Sequence, residues 1–431
     1  MSASDIDTIF ALATAPGRGA IAIIRVSGPD CAAIAERLAG GFAFDRRMRL
    51  RALRDPATGE TLDSALVVGF PEGASFTGEA MTELHLHGGR AVAAAVMRAL
   101  AALGAQPAAP GAFSRRAFDN GRLDLLEAEG VAQLAAAETE AQRRLALWSL
   151  GGAASATVAA WRETLVEALV WFEADSDFGE EELGGGVAAP GYARVRELVA
   201  LLDAARAKGD AAARIREGAR VAIIGPPNVG KSSLINALVK RDIAITSPIA
   251  GTTRDALEAR CEAFGFDLTL VDTAGLRVTD DPIEAVGVAR AQAAAETADL
   301  RVFVSSPEAT ADLTTRRSSD LHVANKADLG CIGEDADFTV SAVTGEGLDA
   351  LLDAIGARIV DAGAAQGAFS TARHLAALDG ARAALARAAQ APPEIAAEEC
   401  RLAAQALDSL IGRVDVEHIL DGVFSTFCLG K

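Results

Sequence analysis

The octapeptide GPPNVGKS, residues 225–232, carries two glycines, a lysine and a serine at the spacing G-x-x-x-x-G-K-S. It follows the apolar run VAII (221–224) and opens the helical pattern SLINALV (233–239), the strand–loop–helix setting such a loop needs. Gly225 and Gly230 let the backbone curl so that its N–H groups face a phosphate. Asn228, Val229, Gly230, Lys231, Ser232 and Ser233 form the nucleotide-facing run. Lys231 supplies a positive charge to the β and γ phosphates, a catalytic as well as a binding role, and Ser232 a hydroxyl for Mg²⁺.

Four companions follow in chain order. AGTTRD (250–255) offers Thr252 and Thr253, and a hydroxyl here, assigned to Thr253, completes the Mg²⁺ shell. LVDTAG (270–275) ends an apolar run in Asp272, suited to an outer-shell Mg²⁺ contact, followed by Thr273, Ala274 and Gly275, whose N–H lies near the γ phosphate. NKAD (325–328) supplies Asn325, Lys326 and Asp328; the Asp328 carboxylate accepts two hydrogen bonds from guanine N1–H and the 2-amino group, donors that adenine lacks. SAVTGEG (341–347), with Ser341 and Ala342, closes over the base. Five elements in this order imply GTP binding and hydrolysis with Mg²⁺.

Ras-like proteins place a water-orienting Gln after DTAG; here Leu276 stands there and cannot polarise water. Glu284 in DDPIEAVGVARA is a candidate replacement, although on spacing alone a solvated acid on a helix face is the simpler reading.

These loops need elements to hold them. At 431 residues the chain exceeds one ordinary core, so two or three domains are expected. Residues 1–118 alternate short apolar runs with Gly/Pro turns, a mixed α/β domain with strands AIAIIRVSG and SALVVGF and helices at 31–40 and 90–104. Residues 119–217 read as helical, with Trp161, Leu165, Leu169 and Phe172 on one face and an acidic, Gly-rich loop at 175–191. Residues 218–361 form a second α/β block with strands ARVAIIG, FDLTLVD and LRVFVS. Residues 362–431 return to helix, with Leu402, Ala406, Leu410 and Val414 on one face. The two helical stretches are expected to pack together, making the nucleotide block an insertion. The fold class is α/β multidomain.

Composition excludes several classes. A net charge of -18 argues against a bare RNA or DNA binder, which needs Lys and Arg for phosphate contacts. Five scattered cysteines with no CxxC pair suit reduced thiols in the cytoplasm, not a disulfide framework or zinc site. The first residues lack a signal-peptide pattern, and no run is long and apolar enough to span a bilayer, so no membrane partner is expected.

Beyond the nucleotide motifs, IFALATAPGRGAIAIIRVSG, FTGEAMTELHLHGG, APGAFSRRAFDNGRLDLLEAEGVAQL, SPIAGTTRD and FCLGK together resemble, end to end, the bacterial tRNA-modification GTPase family MnmE (TrmE). The resemblance implies an N-terminal tetrahydrofolate-binding domain that dimerises, a helical domain and an inserted Ras-like P-loop GTPase domain. It implies a homodimer working with an MnmG-type FAD/NADH protein as a heterotetramer. That complex would place a carboxymethylaminomethyl or aminomethyl group on C5 of the wobble uridine of certain tRNAs. The carbon would come from a 5-formyl or 5,10-methylene folate.

Carried over residue by residue, the resemblance places folate contacts on Arg25, Glu83, Arg122 and Lys431, with Arg122 where Lys is usual, and a near-terminal thiol at Cys428. It makes Glu284 the general acid/base. It names K⁺ as a charge-compensating ion, held by Asn228, Ser247, Ile249 and Thr252; Ser247 stands where Thr is usual. The stretch 305–322 is shorter than in family members, with TTRRSSD where helix and apolar strand are expected. Two other readings remain: an Era-type RNA- or ribosome-assembly switch, which would carry a basic domain, and a folate-binding scaffold with a degenerate nucleotide block.

Overall fold

The computed structural model describes residues 7–41, 43–177, 187–241, 258–263, 266–272, 296–330, 335–359, 369–413, 420, 423–425, 427 and 430. Ser247, Ile249, Thr252, Thr253, Thr273, Ala274, Gly275, Glu284, Val414, Cys428 and Lys431 lie outside these residues, as does the acidic segment 178–186. The chain divides into two compact units, one comprising Met1–Ala135, Ser149–Arg162 and Ala404–Lys431, the other Ala136–Trp148 and Glu163–Ala403.

The first unit is built on a six-stranded sheet of β1 (Ile9–Leu12), β2 (Ile21–Ser27), β3 (Arg49–Arg54), β4 (Thr61–Phe70), β5 (Met81–His87) and β6 (Gln106–Pro107), in the order β3-β4-β5-β2-β1-β6. Its pairs are antiparallel except β1 with β6. Alternation decides which face is covered. Ile24 and Val26 of β2, Leu84 and Leu86 of β5 and Ala65 and Val67 of β4 form a core with Ile34 and Leu38 of helix Cys31–Ala39 and Val96 and Leu100 of helix Arg90–Ala102. Residues of opposite parity, including Arg25, Glu83, His85 and the exposed Ile21 and Leu66, occupy the other face. β3, RLRALR, is an edge strand rich in arginine, a composition that discourages further strand pairing.

A second small core closes this unit. Leu125 and Ala128 of helix Leu125–Ala136 pack with Leu420, Phe424 and Phe427, and the Phe424 and Phe427 rings lie 5.2 Å apart. A Cβ on Gly111 would meet Phe424 O at 2.4 Å, and one on Gly430 would meet Leu12 O at 2.4 Å, so both positions require glycine.

The second unit holds the other six-stranded sheet: β7 (Ala219–Ile224), β8 (Glu258–Ala263), β9 (Phe266–Asp272), β10 (Leu300–Ser305), β11 (Leu321–Ala324) and β12 (Phe338–Thr339). The order is β12-β11-β10-β7-β9-β8, parallel except for β8 at the edge. β10 and β11 are buried along their whole length, as expected of strands covered on both faces. The chain passes from β7 to β9 on one side and then to β10 on the other. The carboxyl end of β7 is therefore a switch point, where such sheets bind ligands.

In the same unit, helix Ala189–Glu217 packs against helix Ala372–Ala388. Gly209 allows the approach, since a Cβ there would lie 2.4 Å from Leu375 Cδ2. Tyr192 stacks edge-on with Phe172 at 5.0 Å and donates its hydroxyl to Ala391 O at 2.6 Å. Helix Ala372–Ala388 starts with a reciprocal Thr371–His374 cap.

Three expectations shift. Residues 175–177 and 189–191, expected in the loop 175–191, belong to helices Ala153–Asp177 and Ala189–Glu217, while 178–186 lie outside the described residues. On the 161–175 face, Ala168 is buried and Leu169 only partly. In helix Pro393–Ile411 the buried positions are Ala396, Ala397, Cys400, Ala403, Leu407, Leu410 and Ile411, while Leu402 is exposed. Alanine and cysteine fill most of that stripe, so picking out leucines set its phase one residue off.

Candidate functional site

The loop 225–230 leaves β7 at the switch point and enters helix Lys231–Arg241. Its glycines are dictated by neighbours. A Cβ on Gly225 would sit 2.3 Å from Val304 O of β10, and one on Gly230 (φ 90°) would sit 2.5 Å from Asn325 Nδ2. Asn228 has φ 65°, the left-handed conformation that Asn tolerates better than most residues, and its side chain is exposed. Val229 is fully buried and anchors the loop from below. Lys231, itself buried, folds back over the loop, donating from Nζ to Gly225 O (2.8 Å) and Pro226 O (3.0 Å), so its charge is held against the loop. Ser232 and Ser233 occupy the first turn of the helix, where unsatisfied backbone N–H groups favour anions. In the parallel pairing of β7 with β9, Asp272 is level with Ile223. This brings the end of the DTAG strand beside the start of the phosphate loop.

The base-reading loops are wired to this cradle. Asn325, 2% exposed, donates from Nδ2 to Val229 O (2.9 Å) and accepts from Ala342 N–H at Oδ1 (3.2 Å). One amide thereby ties the phosphate loop, NKAD and SAVTGEG together. Lys326 sits at φ 66°, next to the short turn Ala327–Leu329. Ser341 donates its hydroxyl to Asp328 Oδ1 (2.5 Å) and accepts from Thr344 N–H (3.1 Å). The Asp328 carboxylate is thus oriented by one hydrogen bond while its second oxygen remains available to a paired donor.

Sequence reasoning missed what shapes the short stretch before NKAD. Arg301 of β10 and Asp320, both buried, form an ion pair at 2.5 Å. Arg301 also donates to Thr315 O (2.6 Å), and Asp320 accepts from Arg317 N–H (2.6 Å). Arg316 pairs with Asp337, and Arg358 donates to Asp320 O (2.9 Å). Ser305 Oγ accepts from Ala311 N–H and lies 2.8 Å from His322 Nε2. TTRRSSD therefore forms a polar web where a helix was expected, and β11 follows it directly. The clue in the sequence was an arginine inside the otherwise apolar LRVFVS, which calls for a buried acid.

In the first unit, β2 and β5 put Arg25 directly opposite Glu83. Arg25 Nε donates to Glu83 Oε1 at 2.8 Å, and its guanidinium lies 5.9 Å from the Phe76 ring centre. His85 Nε2 is 3.3 Å from the other Glu83 oxygen. Gly78 (φ 83°) lies against Arg122, whose Cγ would be 3.1 Å from a Cβ there, so the loop carrying Phe76 and Gly78 touches Arg25 at one residue and Arg122 at the other. The loop carrying Phe76 and Gly78 is held by Glu79, which accepts from Ser27 Oγ (2.8 Å) and Arg116 Nη1 (2.9 Å) at one oxygen. Asp124 and Glu127 cap the next helix reciprocally, each backbone N–H bonded to the other's carboxylate at 2.9 Å. Phe76 and His85 were not picked from sequence; the alternation in TELHLH carries the signal for His85, two residues from Glu83 on the same face.

Cys31 and Cys400 are buried, and burial pushes their thiols up to about 11 and about 12 respectively, so both stay protonated and unreactive at neutral pH. No group of three or more His, Cys, Asp or Glu able to hold a metal occurs among the described residues. No helix among them is long and apolar enough to cross a membrane.

Comparison with known proteins covers nearly the whole chain. Residues 8–122 match the family described as "GTP-binding protein TrmE N-terminus", and residues 125–428 match "MnmE helical domain". The tRNA modification GTPase MnmE of Methylorubrum populi is 50% identical over 443 residues, covering 99% of this chain and 98% of that protein. That of Parvibaculum lavamentivorans is 47% identical over 438 residues, covering 99% and 100%. Among solved structures, the FeoB G-domain of Methanococcus jannaschii is 26% identical, covers 33% of this chain and 97% of that one, and has a TM-score of 0.26. Aquifex aeolicus Era bound to GDP and aluminium fluoride is 24% identical, covers 38% and 66%, and has a TM-score of 0.27. With one family match spanning more than half its length and relatives near 50% identity from end to end, this chain belongs to the MnmE family of tRNA modification GTPases.

Proposed function

We propose that this chain is the GTP-hydrolysing subunit of a cytoplasmic complex that modifies C5 of the wobble uridine in certain tRNAs. Its partner would be an MnmG-type FAD/NADH protein, and a folate would supply the one-carbon unit. The observation that carries the nucleotide half is the Asn325 side chain, which binds the phosphate loop at Val229 O and the base loop at Ala342 N–H. Phosphate and base are then read by one rigid assembly. Relatives align over 99% of the chain, well beyond the motifs that an Era-type switch would share. The domain limits 1–118, 119–217, 218–361 and 362–431 belong to this reading.

The residues present fit the groups this reading requires. Ser232, in the first turn of its helix, would hold Mg²⁺ with Thr253, and the metal would neutralise charge between the β and γ phosphates. Lys231 adds its ammonium from its place against the loop. Glu284 is assigned to move the proton of the attacking water. Asn228, exposed in the loop, would hold K⁺ with Ser247, Ile249 and Thr252 when two protomers meet. Its left-handed backbone alone also accounts for an Asn here, so the side-chain oxygen needs testing separately. On the open face of the first sheet, the Arg25–Glu83 pair offers donors and acceptors of the kind a pterin needs, with Phe76 beside it for stacking. Arg122 and Lys431 would meet the carboxylates of the folate tail, and Cys428 would lie close by.

Mass spectrometry of wobble uridines in cells lacking this gene tests the reading. The C5 modification is expected to disappear and to return on complementation; its persistence overturns the assignment. In the purified protein, hydrolysis is expected to be faster in K⁺ than in Na⁺ at matched ionic strength, with Asn228→Ala removing the difference. Glu284→Ala is expected to slow single-turnover hydrolysis by roughly 10²–10⁴-fold with binding nearly intact.

A further inference from the structure

The shortened stretch between β10 and NKAD contains an acid with a specific partner. Glu308 Oε2 lies 2.8 Å from Lys326 Nζ, and the Lys326 side chain is only 24% exposed. Lys326 is one of two adjoining residues, with Asn325, on which the base-reading loop turns, and its φ of 66° is unfavourable for a long side chain. Neighbours on both flanks keep that conformation. Asn325 is latched to Val229 O, and Ala327 N–H donates to Val340 O (3.0 Å). Among the described side chains, Glu308 is the one that holds Lys326 itself. Glu308 is fixed in turn by a tight turn, in which Ser306 and Ala309 exchange backbone hydrogen bonds of 2.8 and 3.1 Å. The turn follows β10 directly, and Asn325 N–H donates to Ser305 O at 2.8 Å, so turn and base loop are adjacent.

We propose that Glu308 is a positioning residue for guanine-nucleotide binding: through its ion pair it holds Lys326, and with it the base-reading loop, in the conformation that retains nucleotide. It touches no nucleotide itself. The inference rests on the guanine-nucleotide reading above. The pair is partly exposed, so its effect is modest and sensitive to salt.

The test uses the full chain and a fluorescent GDP analogue, measuring dissociation by displacement with excess GDP. Glu308→Gln and Glu308→Ala are expected to release the analogue about 2- to 5-fold faster at low salt. Association, thermal unfolding and the preference for guanine over xanthine nucleotides are expected to stay unchanged. The difference from wild type is expected to shrink at high salt. Lys326→Met is expected to be faster too, and adding Glu308→Ala to it should change nothing further. Additive effects, unchanged release at low salt, or slower release in the Glu308 variants each overturn the proposal. Failure of the wild-type chain to bind the analogue would break the guanine-nucleotide reading instead, so the two failures are distinguishable. A melting shift that accompanies faster release and survives high salt would show a structural role only and also overturn it.

Discussion

The two sheets of this protein place their candidate functional residues in opposite ways. In the nucleotide sheet, β10 and β11 are buried on both faces, and the chemistry sits beyond the strand ends, in loops 225–230, 325–328 and 341–347. In the N-terminal sheet one face is covered by helices, and the proposed folate contacts Arg25 and Glu83, with His85 beside them, sit within the strands on the open face. A sheet covered on both sides has no free face to offer, so it works at its edges. A sheet covered on one side can present a row of side chains two residues apart. The first arrangement depends on backbone geometry and glycine, the second on side-chain identity.

The largest expected effect sharpens this contrast at its structural end. Asp320→Ala leaves Arg301 buried without its acid, and is expected to cost about 3–5 kcal/mol in denaturant unfolding monitored on the nucleotide block. A loss under about 1 kcal/mol would show that water reaches Arg301 and that the web around 315–320 is dispensable. Next comes Asp328→Asn, expected to lower guanine-nucleotide affinity by about 1–3 kcal/mol and shift preference toward xanthine nucleotides, without altering the melting temperature. Equal GTP affinity in a titration would remove NKAD from the site. On the open face, Arg25→Ala is expected to cost under about 1 kcal/mol of stability, because the pair is partly solvated. Binding of 5-formyltetrahydrofolate, measured by calorimetry, is expected to weaken strongly in the same variant. A large stability loss there would break the contrast, making Arg25 part of the scaffold. The smallest effect is chemical: Cys31 and Cys400 are expected to resist alkylation of the native protein at pH 7.5, and to react once it is unfolded. Rapid labelling of either would mean that its core opens readily.

The same contrast explains what could be read from the amino-acid order. The strand–loop–helix at 221–239 was legible because its glycines answer local backbone demands, and those demands have a fixed spacing. β10 was visible as an apolar run, but β11, the four-residue LHVA, was not among the expected strands, and neither was the Arg301–Asp320 pair foreseen, since it joins residues that nothing local connects. The Arg25–Glu83 contact depends on a register between strands 58 residues apart, set by the packing of the whole sheet. β3 hid among arginines because an edge strand needs few apolar residues. The phase of helix Pro393–Ile411 slipped because alanines and a cysteine, not leucines, line most of its buried stripe.

The packing of residues 420–430 in the first unit bears on how the chain is made. Phe424 covers Gly111, and Gly430 lies against Leu12, so the earliest strand of the N-terminal sheet meets residues translated some four hundred codons later. During synthesis that strand emerges long before its cover exists, and the nucleotide block is translated in between. Local elements such as the β3–β4–β5 meander, whose strands are close in sequence, have time to form first. The small core of Leu125, Phe424 and Phe427 is then the last to assemble, and a nascent chain arrested before it would display the apolar side of Leu125 and Phe118 to the cell's quality-control machinery.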